Sequence, residues 1–366
     1  MVRYSLNLGQ DFKAALAGWV EARIYVAVAY ITTLAVVDRL EPQPAFSPVD
    51  DGLIPWDGTW YRDLASGGYD SPELEGGIRF FPLWPLLGRL LGAVGDRPDI
   101  ALVIGANLLA LVAGVLMYRL AMQETDDPEV SRHVVRIFSL FPSAFVLVLG
   151  YSEALFLTLA LGFVLFARSR NWLAAAVLGF LAGLTRPVGG LLALPALVRT
   201  LSSDRDRTSP PAWLTVASAP LGTLTFLVWA ERAQGGWRVP IDAQEELRGA
   251  VREPITRIIT ALVEGVKGDA GELLHGTAAV VLVFLLVVAV RRLSTDLWVY
   301  SVPSTLLLFA AENLNSMERY ALAVFPLVIA AGIVSHASLL RRWLPTASAV
   351  ALTSFTILAL NGVYVP

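Results

Sequence analysis

The sequence predicts an all-α fold, a polytopic membrane helical bundle of about eleven transmembrane helices forming one integral membrane domain over residues 1–366. Composition, the recurrence of long apolar runs and the placement of arginines carry that reading. Hydrophobic residues make up 55% of the chain, mean hydropathy is +0.61 and only 16% of residues are charged, against about 25% in an average soluble domain. A net charge of −3 argues against a nucleic-acid partner, and Lys13 and Lys267 are the only lysines. With no cysteine, the chain has no disulfide, thiolate nucleophile or Cys-ligated zinc. His133, His275 and His336 are too scattered for metal-ligand spacing.

The first apolar run, Trp19 to Val37, follows a short head with Arg3, Lys13 and Arg23 and has no small-residue cleavage site beyond it, so an uncleaved first helix is expected. Further runs lie near 99–122, 133–150, 154–168, 171–185, 188–201, 212–231, 276–291, 296–311, 319–338 and 345–363. Several fall short of the roughly 20 residues that cross a hydrocarbon core, and 171–201 also fits one re-entrant unit. Residues 78–94, IRFFPLWPLLGRLLGAV, are apolar but carry Arg79, Pro82, Pro85 and Arg89, which predicts an interfacial or re-entrant helix.

An N-terminus in the cytoplasm places the Arg-dense turns at 123–132, 168–171, 202–211, 291–296 and 341–342 inside, as the positive-inside rule asks. The long loops 38–98 and 232–275 then both face the extracytoplasmic side. Reading 78–94 as a full span would move the later arginine clusters outside, against the rule. The expected location is a cell membrane, with any active site on the extracytoplasmic face, or the endoplasmic reticulum lumen in a eukaryote.

Four stretches carry groups fit for chemistry. The first outer loop reads WDGTWYRDLASGGY at 56–69, setting Asp57, Arg62 and Asp63 among Trp56, Trp60, Tyr61 and Tyr69. An interfacial aromatic belt has this composition. So does a carbohydrate site, in which one carboxylate accepts a hydroxyl proton and flat rings hold the sugar. At 141–156, FPSAFVLVLGYSEALF, Ser152 is placed to cap the incoming helix, with Glu153 in its first turn. At 184–190, LTRPVGG, Arg186 precedes Pro187 at the start of a helix, and at 312–326 Ser316 is placed to cap a helix carrying Arg319 in its first turn. A first-turn arginine opposes the helix dipole, so an anion should compensate it: a partner such as Glu153 or Glu318, or a bound phosphate. Asp57, Glu153, Arg186 and Arg319 all fall on the outer side of the topology, where buried charge costs roughly 2.5–3.5 kcal/mol on insertion scales and makes function the default hypothesis. Asp204-Arg205-Asp206 reads as a solvated charge run, and Gly179 and Gly183 as close helix packing.

These segments resemble the bacterial relatives of the PIG-V mannosyltransferases, the family of GPI mannosyltransferase 2. The likeness rests on WDGTWY at 56–61 with GGY at 67–69, FFPLWPLL at 80–87, YSEALF at 151–156 with TRPVG at 185–189, and ERYALAVFPL at 318–327. The resemblance implies a GT-C fold whose first outer loop bears the essential acid, here Asp57. It also implies inverting transfer of mannose from a polyprenyl (dolichyl-type) phosphate sugar donor to a glycan or glycolipid acceptor. Asp57 is then the general base on the acceptor hydroxyl, with Arg186 and Arg319 stabilising the departing phosphate. The other expected substrate contacts are Trp56, Trp60, Tyr61, Asp63, Trp84, Glu153 and Tyr320. No cofactor is required and no metal ligand is assigned, though a divalent metal bridging Asp57 to the phosphate is compatible with the residues. The competing expectations are a lipid-linked sugar flippase or transporter, which should show related halves and charges near mid-membrane, and a GT-C enzyme using another lipid-linked sugar.

Overall fold

A computed structural model describes residues 8–36, 47–69 and 72–364, so Arg3, Val37 and parts of the long loop expected at 38–98, namely 38–46 and 70–71, lie outside the described residues. Those residues form an all-helical bundle with no named strand, and an isolated bridge pairs Val251 with Ala311. Five helices are long and apolar enough to cross a membrane: Gly9–Val36, Pro98–Thr125, Pro210–Ala233, Ala270–Arg292 and Leu340–Leu360. A sixth candidate is the pair Met317–Ala323 and Phe325–His336, bent by 88° at its junction. Only 28% to 44% of each long apolar window is buried inside the protein. Ile31, Leu108, Phe284 and Val350 stand more than half exposed on these helices. Helices so apolar on their outward faces need an apolar solvent, which a bilayer supplies.

The other expected runs form shorter helices. Residues 133–150 divide into Pro128–Ser139 and a 3₁₀ turn at Ala144–Leu147. The 154–168 run is Glu153–Arg168 (16 residues) and the 171–185 run is Trp172–Gly183 (12 residues). The 188–201 run is a 3₁₀ turn, Pro187–Leu192, leading into Ala193–Leu201, and the 296–311 run is Thr295–Phe309 (15 residues). Leu83–Gly92, within the 78–94 stretch, has 10 residues, about 15 Å of helix and too short to cross.

Local sequence sets many of these boundaries. Pro98, Pro128, Pro187, Pro210 and Pro254 open their helices, where the missing N–H costs nothing. Asp127, Glu253 and Asp269 cap helices by accepting from first-turn backbone N–H groups. The two serines expected to do the same make no capping bond: Ser152 has helical backbone angles and its hydroxyl pairs with Tyr61, while Ser316 adopts a left-handed φ of 65°.

Glu153–Arg168 runs through the middle of the bundle and is buried along most of its length. It packs against Pro98–Thr125 and Trp172–Gly183, and the latter packs against Pro210–Ala233. That last crossing is tight. A Cβ on Gly183 would lie 2.1 Å from the Ala219 carbonyl oxygen, and one on Gly222 the same distance from that of Phe180. Close packing, as read for the G-x-x-x-G at 179–183, is what these glycines serve. Gly183→Val is expected to lower stability by about 1–3 kcal/mol or more, because the obstacle is backbone and cannot rotate away; a thermal unfolding midpoint equal to that of the parent would show that the helices can part freely.

The ends of Glu153–Arg168, about 22 Å apart by helix rise, define the two ends of the bundle. At one, Arg168 pairs with Asp296 at 2.7 Å and Glu124 at 2.6 Å, Arg170 with Asp206 at 2.8 Å, and Arg341 approaches Glu129 at 3.5 Å. The Arg-dense turns assigned to one side by charge thus gather together. Asp206 is buried in this network rather than solvated, which corrects the reading of 204–206; the Asp204 carboxylate pairs with Arg207 at the surface. Glu153 marks the opposite end.

Candidate functional site

At the Glu153 end, four segments far apart in sequence converge. Asp57 is the first residue of helix Asp57–Gly67, at its positive pole. The preceding Trp56 has φ 55°, a left-handed conformation that an aromatic residue adopts only under external constraint. Part of that constraint is its indole N–H, which donates to the Ala359 carbonyl at 2.9 Å, pinning the start of this helix to the end of Leu340–Leu360. Arg186 is extended (φ −155°, ψ 147°), as a residue before proline prefers. Its turn is tied to helix Leu83–Gly92 by the Leu83 N–H on the Leu184 carbonyl, 3.1 Å. Arg319 follows the left-handed Ser316 on helix Met317–Ala323.

The side chains then lock. Arg319 Nη1 donates to Asp57 Oδ2 at 2.7 Å, and Arg186 Nη1 donates to Glu153 Oε1 at 2.5 Å. Arg319 Nε lies 3.3 Å from the same Glu153 oxygen without making a hydrogen bond, so the two share charge rather than a proton. Arg319 Nη2 donates to the Tyr320 hydroxyl at 2.8 Å. The compensation demanded by a first-turn arginine is therefore Asp57 together with Glu153. Glu318 takes no part in it and meets His275 at 2.8 Å and Tyr364 at 3.0 Å instead. Arg319 and Glu153 are almost fully buried, whereas the Asp57 side chain keeps 22% of its surface open.

That opening faces a cavity of about 470 Å³, within the usual range for small-molecule sites. Asp57, Tyr61, Arg186, Arg319 and Tyr320 line it, as do Arg79 and Arg248; Val188, Leu227, Ile241, Leu307 and Leu308 supply apolar wall. Glu153 stands behind this wall, positioning both arginines. Tyr61 shares a 2.8 Å hydrogen bond with Ser152, and burial pushes its phenol pKa up, so it serves as a neutral hydrogen-bonding group.

Besides Glu153, four expected substrate contacts lie outside the cavity wall. Trp84 is 1% exposed, and its indole N–H holds the Gly150 carbonyl at 3.0 Å, which anchors the turn leading to Glu153. Asp63 is occupied by Arg62 at 2.6 Å on the surface. Trp56 is the anchor already described, and Trp60 stacks on Phe80 under the Arg79 guanidinium. Their aromatic or acidic character is used in packing and surface pairing.

Arg248 is the main residue the sequence left unmarked. It ends helix Val239–Arg248, where a basic residue is ordinarily explained by the helix dipole. In the fold its guanidinium lies 5.0 Å over the Tyr320 ring, which also faces Arg186 at 5.1 Å and Arg319 at 4.6 Å. Around the Tyr320 ring three cations face the carboxylates of Asp57 and Glu153; with Arg79 and Glu245 also on the wall the cavity keeps an excess of one cation, which suits it to receive an anion. Among the described residues no group of three or more His, Cys, Asp or Glu is placed to hold a metal ion.

No family model matches the chain. No curated protein matches it either.

Proposed function

We propose that this chain is an integral membrane glycosyltransferase of GT-C type, similar to the PIG-V mannosyltransferases, which moves a mannosyl residue from a polyprenyl phosphate donor to an extracytoplasmic glycan or glycolipid. The observation that carries the reading is the meeting of Asp57, Arg186 and Arg319, 262 residues apart at the extremes, around a single cavity with an apolar flank. Counting the shorter helices as crossings gives about eleven passes, with the cavity at the extracytoplasmic end. That end is opposite the arginine-rich one, as the charge rule requires.

In this mechanism the acceptor hydroxyl attacks the anomeric carbon and gives its proton to Asp57. The bond from the anomeric carbon to the phosphate oxygen breaks with its electron pair, polyprenyl phosphate departs as an anion, and the configuration inverts. Arg319 occupies one Asp57 oxygen and leaves the other for the hydroxyl. The cationic wall stabilises charge that grows on the phosphate, which is where fixed dipoles and charges lower a barrier most. A lipid-borne donor also fits the described residues, which form helices with no named strand and so no α/β nucleotide-binding sheet.

The test is incubation of the purified protein with polyprenyl-phosphate mannose and candidate glycolipid acceptors. Acceptor-dependent release of polyprenyl phosphate is expected. Its absence with every lipid-linked sugar and acceptor offered would remove the transferase reading.

A further inference from the structure

Arg186 and Arg319 were expected to bind phosphate, yet both are already committed, one to Glu153 and the other to Asp57. Arg248 is not. Among the described residues no carboxylate forms an ion pair with it, and its Nε and Nη2 atoms are buried without a hydrogen-bond partner. Burial, only partly offset by Tyr320, pushes its pKa down, while Arg319 and Arg186 add repulsion. A guanidinium held in that position with idle donors is poised for an anion that arrives from outside.

Its placement is fixed by backbone pairing. The Asn313 N–H donates to the Arg248 carbonyl at 2.8 Å, the Glu312 N–H to Ala250 at 3.1 Å, and the Arg252 N–H to Ala310 at 2.8 Å. Gly249 turns the chain at φ +73°, and Glu312 packs where a Cβ would stand. The second long loop is thus stitched to the segment that leads into the Arg319 helix.

The surroundings also fit an apolar tail. Val251 and Leu307 line the cavity and are largely exposed, so its mouth has an apolar lip. Beyond it, helix Pro254–Val266 presents Ile255, Ile259, Val263 and Val266 on one exposed face, the pattern of a helix lying in a membrane interface.

We propose that Arg248 is the phosphate-holding residue of the cavity, its Nε and Nη2 donors forking onto a phosphate ester while Arg186 and Arg319 stay paired with their acids. This rests on the transferase reading only for the source of the phosphate, a lipid donor; free inorganic phosphate presents the same chemistry.

Two probes separate the sources: farnesyl phosphate and inorganic phosphate, each titrated into the full-length protein in detergent and followed by its unfolding midpoint. Arg248→Gln is expected to weaken binding by about tenfold or more, as loss of a charge-assisted fork should, with the ligand-free midpoint retained. Arg248→Lys should lose part of that affinity, and Arg238→Gln, half-exposed at the N-cap of the same helix, none. An Arg248-dependent response to farnesyl phosphate alone upholds the site with a lipid headgroup as occupant; an equal response to inorganic phosphate upholds it for free phosphate. Unchanged affinity of Arg248→Gln for both probes overturns it. Should that variant fail to fold, unchanged affinity in Arg248→Lys does so instead. Arg248-dependent binding without sugar transfer would remove the transferase reading alone. Transfer by Arg248→Gln at the parent donor KM, with parent phosphate affinity, would remove the Arg248 assignment alone.

Discussion

Asp57→Asn is expected to reduce sugar transfer by at least about 10²-fold, the usual contribution of a positioned general base, while donor binding persists. Asparagine matches aspartate in shape, and its amide oxygen can still accept from Arg319 Nη1, now 2.7 Å from Oδ2. What the variant loses is the capacity to take a proton. Glu153 remains beside Arg319, so the buried guanidinium keeps one carboxylate and the stability cost should stay near about 1–3 kcal/mol. Two measurements settle it: the rate of polyprenyl phosphate release and the thermal midpoint. Asp63→Asn, six residues along the same helix and paired with the surface residue Arg62, should turn over at the parent rate. Full turnover by Asp57→Asn, or equal losses in the two variants, would strip Asp57 of its role.

Asp57 was marked by its place among aromatics in the loop at 38–98 and by the family resemblance; composition alone did not separate it from Asp63. Arg186 and Arg319 were legible because each stands at a helix start, where the dipole makes a cation unwelcome unless something anionic is near. Arg248 was hidden by the converse: at a helix C-terminus a cation needs no explanation, and it shares its loop with Arg232, Arg238 and Arg252. The backbone pairing to 310–313 brings it, and not the more deeply buried Arg257 of the same loop, to the cavity wall. Trp84 was misplaced because hydropathy reports that an indole belongs near an interface and says nothing of depth. Its role depends on the Gly150 carbonyl, 66 residues away. The fold class was readable from composition, and the short helices from their apolar runs. The break of 133–150 after Ser139 was not, since that stretch is apolar throughout and tertiary contacts decide where it turns. Ser143 there donates to the Glu318 carbonyl at 2.9 Å, a partner no local pattern reveals.

Glu153→Gln should be the most damaging single change to stability. Its carboxylate lies between Arg186 and Arg319, is 1% exposed as a residue, and is one of two acids facing three guanidiniums. Removing it leaves Asp57 alone against all three, and an uncompensated buried charge of this kind costs about 3–5 kcal/mol. Arg186→Gln breaks the same 2.5 Å bond but brings acids and cations into balance, so its cost should be smaller. The pair Glu153→Gln with Arg186→Gln restores the parent excess of one cation, and the double variant should be more stable than Glu153→Gln alone, with a coupling of about 0.5–3 kcal/mol. Packing loss predicts the opposite ranking, because glutamine fills the space of glutamate and the cavity left by truncating Arg186 then adds to whatever Glu153→Gln costs. The same charge argument gives phosphate a larger effect in the damaged protein: farnesyl phosphate should raise the unfolding midpoint of Glu153→Gln more than that of the parent, since it replaces the missing negative charge beside Arg248 and Arg319. Equal destabilisation by both single variants, or a double variant less stable than either, would show that packing and hydrogen bonding at this site outweigh charge and that the surplus of guanidiniums has no bearing on what the cavity holds.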